Sequence, residues 1–144
     1  MELFSPAFGD GEPIPFEYSR AGNNIPPPLT FKNVPENAKS LALIMDDPGG
    51  PLIRFIHWNV WNIPPNITDI SRGEDIIYPQ GKNSLRKQGY IGPFPPFGEH
   101  NYFFTLYALD TLLDLKSGAT KKELEKVMSG HIIAKAQLRG TFKR

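Results

Sequence analysis

Prolines and glycines interrupt this chain at short intervals, and their spacing restricts the secondary structure that it can form. The sequence has 15 prolines and 13 glycines among 144 residues. Proline lacks a backbone N–H and glycine weakens helices and strands, so these residues separate elements. The stretch GYIGPFPPFG at residues 89–98 is an example, because an apolar run with strand character follows it. We therefore predict short elements joined by structured, proline-rich connections.

The composition is that of an ordered domain rather than a linker. Hydrophobic residues make up 40% of the sequence and aromatic residues 12%, and a chain of this length fits a single domain over residues 1–144. The absence of cysteine excludes disulfides, thiolate metal ligands and a cysteine nucleophile. The net charge of +1 argues against a nucleic-acid partner, which needs a concentrated basic patch.

The N-terminal residues MELFSPAFGDGEPIP lack the basic region and long apolar stretch of a signal peptide. No part of the sequence approaches the roughly 18 uninterrupted apolar residues of a membrane span. We therefore expect a cytoplasmic protein.

Three segments have the character of strands. Ser40–Met45 (SLALIM) is a short apolar run between turn-forming residues, which is typical of a buried strand. Tyr102–Leu109 is apolar on both sides and is predicted to be central in a sheet. Phe55–Ile63 (FIHWNVWNI) alternates. Its predicted faces are Phe55, His57, Asn59 and Trp61 on one side and Ile56, Trp58 and Val60 on the other.

One helix is predicted near the C-terminus. Thr120 and Glu123 form a capping-box pattern, and Gly130 can close the helix in a left-handed conformation. Between them, apolar residues recur at helical spacing at Leu124, Val127 and Met128. A further helical turn is predicted at Leu112–Leu115.

A half-buried strand is predicted after the helix, with Ile132, Ala134, Ala136 and Leu138 on its apolar face. Several strands, long connections and little helix predict a mostly β fold with antiparallel sheets.

Four polar residues near strand ends could converge on one cavity. Asp47 leaves the first predicted strand, His57 lies in the second, and His100 and Tyr102 open the third on one face. Histidine and tyrosine can donate hydrogen bonds to an anion. An aspartate could orient a histidine and favour its charged form. The backbone N–H of Gly92, in the adjoining turn, is a further candidate donor.

Each of these residues also has a purely structural interpretation. A lone histidine in an apolar strand is commonly a core residue, Asp-Pro is ordinary turn chemistry, and Tyr102 could be plain core. Two histidines and an aspartate could also form a metal site, but no compact ligand spacing supports one, and we predict no metal or cofactor. No G-x-S-x-G or phosphate-loop motif is present.

The order and spacing of several short motifs resemble one known family. These motifs are MDDP at 45–48, IHWNVWNIP at 56–64, GKNS at 81–84, GYIGPFPP at 89–96, HNYFF at 100–104, GHIIA at 130–134 and GTFKR at 140–144. Each is weak alone, but together they resemble the phosphatidylethanolamine-binding protein family in its short bacterial and archaeal branch. The resemblance extends from near residue 3 to the C-terminus.

The resemblance implies a large central antiparallel sheet packed on a smaller sheet, with one or two short helices. It also implies a small pocket for phosphate-like groups, such as phospholipid head groups or phosphorylated residues, lined by Asp47, His57, His100 and Tyr102 with the Gly92–Pro95 turn as a wall. By analogy, a cis peptide bond is expected in the Asp47–Pro51 or Gly92–Pro96 region. The chain could form a homodimer, and contact with a membrane would be limited to peripheral head groups.

The expected function is therefore binding of a phosphate-like anion without catalysis. Two alternatives remain. Several family members inhibit serine proteases, and a proline-stiffened loop at Pro26–Pro28 or Gly92–Gly98 could do so here. A weaker alternative is a hydrolase that uses His57 and His100 as acid and base.

Two positions differ from the family pattern. Gly49 stands where an acid is usual, which should make the pocket mouth less acidic and weaken any preference for an ammonium group. Asn101 stands where arginine is usual. Because it points away from His100 and Tyr102, we expect the pocket to be retained and a nearby ion pair to be missing.

Overall fold

The computed structural model describes residues 1–49 and 54–144, which form seven β-strands, one α-helix and a short 3₁₀ helix. In chain order these are β1 (Glu2–Phe4), the 3₁₀ helix (Phe16–Tyr18), β2 (Leu29–Lys32), β3 (Ser40–Asp47), β4 (Phe55–Ile63), β5 (Asp69–Ile70), β6 (Glu99–Leu109), α1 (Lys121–Met128) and β7 (Ile132–Lys143).

The larger sheet has the strand order β4-β3-β6-β7, and all of its neighbouring strands are antiparallel. β3 is buried along its whole length, as its apolar run predicts, and it continues through Asp46 and Asp47. β6 pairs with β3 on one side and β7 on the other, which confirms the prediction of a central strand. The mostly β fold with antiparallel sheets is also confirmed.

A smaller sheet with the order β1-β2-β5 covers one face of the larger one. Its side chains Leu3, Leu29 and Phe31 pack in one buried cluster with Leu43 and Trp58 of the larger sheet. Its strands have 2 to 4 residues. Such short strands show no alternation that residue patterns could reveal, and only the family resemblance indicated this sheet.

Helix α1 packs on the opposite face of the larger sheet, where Leu124 and Met128 join a second buried cluster with Trp61 and Leu109. The capping box is confirmed, because Thr120 Oγ1 accepts from the Glu123 N–H at 3.2 Å and Glu123 Oε1 accepts from the Thr120 N–H at 3.0 Å. Gly130 follows the helix with φ of 83°, the left-handed conformation that its position predicts.

The strand register shifts at two places in β4 and at one in β7, and these bulges break the predicted alternation. In β4 the register shifts between the Met45–Trp58 and Asp46–Ile56 pairs, so His57 is an extra residue. His57 consequently contacts Tyr102, which belongs to the buried cluster between the two sheets. We call this cluster, which also contains Trp58, the main cluster. The prediction that His57 shares a face with Trp61 is wrong, because Trp61 packs on the helix side.

The bulge in β7 lies between the Ala108–Ala134 and Leu109–Ile132 pairs. Ile133 therefore packs against the main cluster beside Ala134. Ile132, predicted on the apolar face, is 46% exposed.

The helical turn predicted at Leu112–Leu115 is absent from the structure, where this segment is irregular. The Asn62 side chain binds both backbone groups of Leu113, donating to its carbonyl at 2.9 Å and accepting from its N–H at 2.8 Å. Because a side chain satisfies these groups, the segment needs no helical hydrogen bonds.

Two further expectations concern the backbone and the membrane. Residues 1–49 and 54–144 contain no cis peptide bond, so the expectation of one at Gly92–Pro96 is wrong. The Gly50–Pro51 part of the other expected region lies outside the described residues. Within the same ranges, no helix has the length and apolar character needed to cross a membrane.

Gly140 in β7 provides a test of how the segment between β1 and the 3₁₀ helix packs on the larger sheet. A Cβ at this position would clash with Ile14 and lie 2.8 Å from Phe8 Cε2. We expect Gly140→Ala to lower the free energy of unfolding by about 1–3 kcal/mol, measured by urea denaturation. Gly9→Ala is the matched control, because its Cβ meets only the flexible Glu12 side chain. Equal effects of the two substitutions would contradict this packing.

Candidate functional site

A cavity of about 420 Å³ lies at the end of the larger sheet where β3 ends and β6 begins. This volume is in the range of small-molecule sites. The residues that line it are Asp47, Phe55, His57, Phe94, Pro95, Pro96, His100 and Arg144. We call it the His100 cavity.

A hydrogen bond between Asp47 and His100 fixes the polar wall of the cavity. His100 Nδ1 donates to Asp47 Oδ2 at 2.7 Å, while Asp47 Oδ1 accepts from the Gly49 N–H at 2.7 Å. Both carboxylate oxygens are therefore engaged, and both side chains are largely buried. Because Nδ1 is occupied, Nε2 is the His100 nitrogen that remains for a ligand.

His57 lies deeper and is 2% exposed. Its Nδ1 lies 2.7 Å from the Ile91 carbonyl oxygen; since a carbonyl only accepts, Nδ1 carries the proton. Burial lowers the pKa of His57 from 6.5 to about 4, although the Ile91 hydrogen bond and the Asp47 charge oppose this change. At neutral pH His57 is therefore uncharged, and its Nε2 is a hydrogen-bond acceptor.

Tyr102 packs behind His57 rather than in the lining of the His100 cavity. The two rings are perpendicular with centroids 5.1 Å apart, and Tyr102 is 1% exposed. Burial raises the pKa of the Tyr102 hydroxyl, which stays protonated at neutral pH. In this structure Tyr102 packs against His57 and is not among the residues that line the cavity.

Gly92 also lies outside the cavity lining. Its N–H donates to Asn24 Oδ1 at 2.7 Å, so it is not available to an anion. A Cβ at Gly92 would clash with the Tyr18 carbonyl oxygen, which explains the glycine by close packing. The proline-rich turn forms the wall through Phe94, Pro95 and Pro96 instead.

The structure thus brings Asp47, His57 and His100 together and adds residues that the sequence reasoning missed. The most important is Arg144, whose N–H donates to the Gly98 carbonyl at 3.2 Å and whose Nη1 lies 3.5 Å from the Pro95 carbonyl. Glu99 pairs with Lys143 across β6 and β7, and this pairing carries Arg144 to the cavity. The GTFKR motif contained this residue, but nothing local in it indicates a site.

The walls of the cavity are aromatic. The Phe55 ring lies 4.8 Å from the His57 ring and 5.6 Å from the Phe94 ring, by centroids. A second cavity of about 430 Å³ adjoins this one and shares Phe94, Pro95 and Arg144 with it. Phe16 and Phe142 are among its other lining residues. An apolar surface therefore continues outward from the polar wall.

The two departures from the family pattern have direct structural counterparts. Gly49 lies at the cavity mouth, where an added Cβ would be 3.1 Å from Asp47 Oδ1 and 3.9 Å from His100 Nδ1. Asn101 Oδ1 accepts a hydrogen bond from Arg139 Nη1 at 3.2 Å. The side chain at this position is neutral, so it makes a hydrogen bond instead of an ion pair.

Among the described residues, no group of three histidine, aspartate or glutamate side chains is arranged to hold a metal ion.

The depressed pKa of His57 predicts a pH-dependent loss of stability. As the pH falls from 6.5 towards about 4, the unfolded chain takes up a proton at His57 while the folded protein does not, so unfolding becomes more favourable. A shift of this size corresponds to about 3 kcal/mol.

Urea denaturation of the wild type and His57→Gln across this range should show the wild type losing more stability by about that amount. NMR titration of the wild-type His57 ring provides a second measurement. A ring that titrates near pH 6.5 would contradict the prediction.

Comparisons with known proteins agree with this fold. The model of the phosphatidylethanolamine-binding protein family matches residues 4–143. A UPF0098 protein of Chlamydia trachomatis is 45% identical over 149 residues, covering 100% of this chain and 99% of the relative. A UPF0098 protein of Methanothermobacter thermautotrophicus is 46% identical over 151 residues, with the same coverage of 100% and 99%.

Two solved structures are also similar. The crystal structure of a Chlamydia trachomatis homolog of phosphatidylethanolamine-binding protein has a TM-score of 0.96 and 44% identity, covering 99% of this chain and 97% of that one. Escherichia coli YbcL, described as a member of the mammalian family, has a TM-score of 0.91 and 26% identity, covering 99% and 98%. Because the family model and these relatives cover nearly the whole chain, this protein belongs to the phosphatidylethanolamine-binding protein family.

Proposed function

We propose that this protein binds small molecules that carry a phosphate-like group in the His100 cavity, without catalysing a reaction on them. The observation that carries the proposal is the hydrogen bond of His100 Nδ1 to Asp47 Oδ2 at 2.7 Å, because it leaves His100 Nε2 oriented for a ligand.

The polar groups of the cavity are complementary to a singly protonated phosphate. A protonated His100 can donate from Nε2 to a phosphate oxygen while Asp47 stabilises the imidazolium, and the Arg144 side chain adds a second positive charge. His57 Nε2, as an acceptor, can bind the P–OH of a monoanion. Because the second pKa of phosphate esters is about 6, such a monoanion is abundant at mildly acidic pH and a minor species at neutral pH.

The aromatic walls favour a ligand with an apolar body next to its anionic group. Phe55 and Phe94 flank the polar wall, and the adjoining cavity extends the apolar surface past Phe94 and Pro95. An aryl or alkyl substituent placed there would bury apolar area on binding. We expect phenyl phosphate to bind more tightly than inorganic phosphate.

A strong preference for an ammonium-bearing head group is not expected. Both Asp47 oxygens already accept hydrogen bonds, from His100 and from the Gly49 N–H. Gly49 itself has no carboxylate, and Arg144 is cationic. Phosphoethanolamine should therefore bind no more tightly than phenyl phosphate.

The state of His57 favours binding over hydrolysis. A hydrolase that uses His57 and His100 as acid and base needs one of them to donate a proton to a leaving group. His57 cannot be that acid, because it is neutral and its only proton is committed to the Ile91 carbonyl. Its pKa of about 4 also makes Nε2 a weak general base, so His57 suits neither role.

Phenyl phosphate titrations test the proposed function. We expect His100→Ala to weaken binding by about tenfold or more, since it removes a charge-assisted hydrogen bond. His131→Ala is a matched control, because His131 Nδ1 also lies 2.8 Å from a carboxylate, that of Asp110 just past the opposite end of β6. The affinities can be measured by isothermal titration calorimetry. Wild-type affinity in His100→Ala would rule the proposal out.

Inhibition of a serine protease is a second candidate, favoured by one exposed aromatic side chain. Phe97 is 77% exposed in the exposed segment Pro96–Glu99. Arg144 holds both sides of this segment through the Pro95 and Gly98 carbonyls. The other candidate loop, Pro26–Pro28, is partly or fully buried, so it is not presented to a protease.

This second function predicts that micromolar protein inhibits a chymotrypsin-like protease, whose specificity pocket accepts an aromatic side chain. Phe97→Ala should abolish that inhibition. Ile77→Ala removes another highly exposed apolar side chain and should leave it unchanged. The absence of inhibition by the wild type, measured with a chromogenic substrate, would remove this candidate.

A further inference from the structure

The largest of the cavities described lies away from the His100 cavity and has a volume of about 750 Å³. It is formed by the start of β4, the loop after Gly81 and the N-terminus of α1. Its lining residues are Arg54, Ile56, Lys82, Asn83, Ser84, Arg86, Thr120, Lys121, Lys122 and Glu125. We call it the basic cavity.

The two cavities use alternate residues at the start of β4. Asp47 and Phe55 line the His100 cavity, whereas Arg54 and Ile56 line the basic cavity. Neighbouring residues of a strand point to opposite faces. The cavities therefore open on opposite faces of the larger sheet, and binding in one can be measured separately from binding in the other.

The fold concentrates positive charge at the basic cavity. Five of its lining residues are lysine or arginine and one is acidic, whereas the whole chain has a net charge of only +1. The rest of the chain therefore carries a net negative charge. The low net charge of the chain does not reveal this patch, because its cations come from three distant segments that the sheet and helix bring together.

Three acids near the cavity hold some of these cations without neutralising all of them. Asp46 Oδ2 binds Arg54 Nη1 at 2.6 Å, and Glu125 Oε2 binds Lys121 Nζ at 2.9 Å. The third acid, Glu123, accepts from Thr120 in the capping box and lies near Lys82. With five cations and three acids, two positive charges remain in excess. Arg86 and Lys122 are exposed and have no ion pair within the described part of the chain.

The loop that carries Lys82 and Arg86 is held by specific hydrogen bonds. Asn83 Oδ1 accepts from the Leu85 and Lys87 N–H groups at 2.9 and 3.3 Å. Ser84 pairs with Ile56 of β4, donating from its N–H at 2.9 Å and accepting at Oγ at 2.7 Å. A loop that is already ordered loses less conformational entropy when a ligand binds.

The N-terminus of α1 adds to the positive potential. The capping box satisfies the N–H groups of Thr120 and Glu123, which leaves those of Lys121 and Lys122 in the first turn without an intrahelical partner. The helix dipole favours an anion at this end. This effect supplements the lysine and arginine side chains and would be small without them.

We propose that the basic cavity is a second binding site, for a compact anion with two or more phosphate groups. Several cations around one concave surface suit a small, multiply charged ligand better than a flat membrane surface. None of the lining residues is aromatic, so the site lacks the stacking surface with which proteins bind single-stranded nucleic acid.

Inorganic tripolyphosphate is the probe that tests this proposal. We expect it to perturb the backbone NMR signals of residues 82–86 and 120–122 and to bind more weakly as salt is raised. Arg86→Asn/Lys122→Gln should weaken binding by about tenfold or more in calorimetry. Asparagine is chosen because Arg86 has a φ of 62°, a conformation that asparagine tolerates.

Two controls distinguish binding in the basic cavity from a general charge effect and from binding in the His100 cavity. Lys32→Gln/Lys39→Gln removes the same charge from exposed positions outside the basic cavity and should change the affinity less than about twofold. His100→Ala should retain tripolyphosphate binding.

Loss of binding in His100→Ala, with no effect of the Arg86/Lys122 substitutions, would place the anion in the other cavity and overturn the proposal. The absence of tripolyphosphate binding while duplex DNA or anionic vesicles bind would also overturn it.

Discussion

β6 pairs with a strand on each of its sides, and this double pairing positions the residues of the candidate site. β6 is hydrogen-bonded to β3 over Ser40–Asp46 and to β7 over Ile132–Lys143. The first pairing places Asp47 beside His100, and the second carries Arg144 to the same cavity. The polar wall of the candidate site is therefore a consequence of strand register, and it combines residues from three separate parts of the chain.

One irregularity in that sheet decides how His57 is used. A bulge adds His57 to the β4 ladder and directs it to the same cluster as Trp58. There it is buried and uncharged, and its Nδ1–H is committed to Ile91. Of the two histidines in the cavity, only His100 has a carboxylate partner within residues 1–49 and 54–144. Two residues of the same type thus have different chemistry, because one is desolvated and the other is paired with an acid.

The larger sheet also separates two kinds of surface. Asp47 faces an aromatic cavity with few charges. Its neighbour Asp46 instead forms an ion pair with Arg54, which lines the basic cavity. Strand alternation allows adjacent aspartates to serve opposite faces. The proposed anion sites would then differ in kind: one suits a single phosphate with an apolar body, and the other a compact polyphosphate.

Neighbouring residues were sufficient to specify the elements whose signals are local. The apolar run of β3, the span of β4 and the capping box of α1 follow from neighbouring residues, and these predictions are confirmed. Asp47, His57 and His100 could be named because they lie at or near strand ends. Tertiary packing was needed to specify the bulges, the positions of Gly92 and Tyr102 behind the cavity lining, the contribution of Arg144 and the concentration of charge around Arg54 and Lys122. These features depend on the register and packing of residues far apart in the chain, which no local pattern specifies.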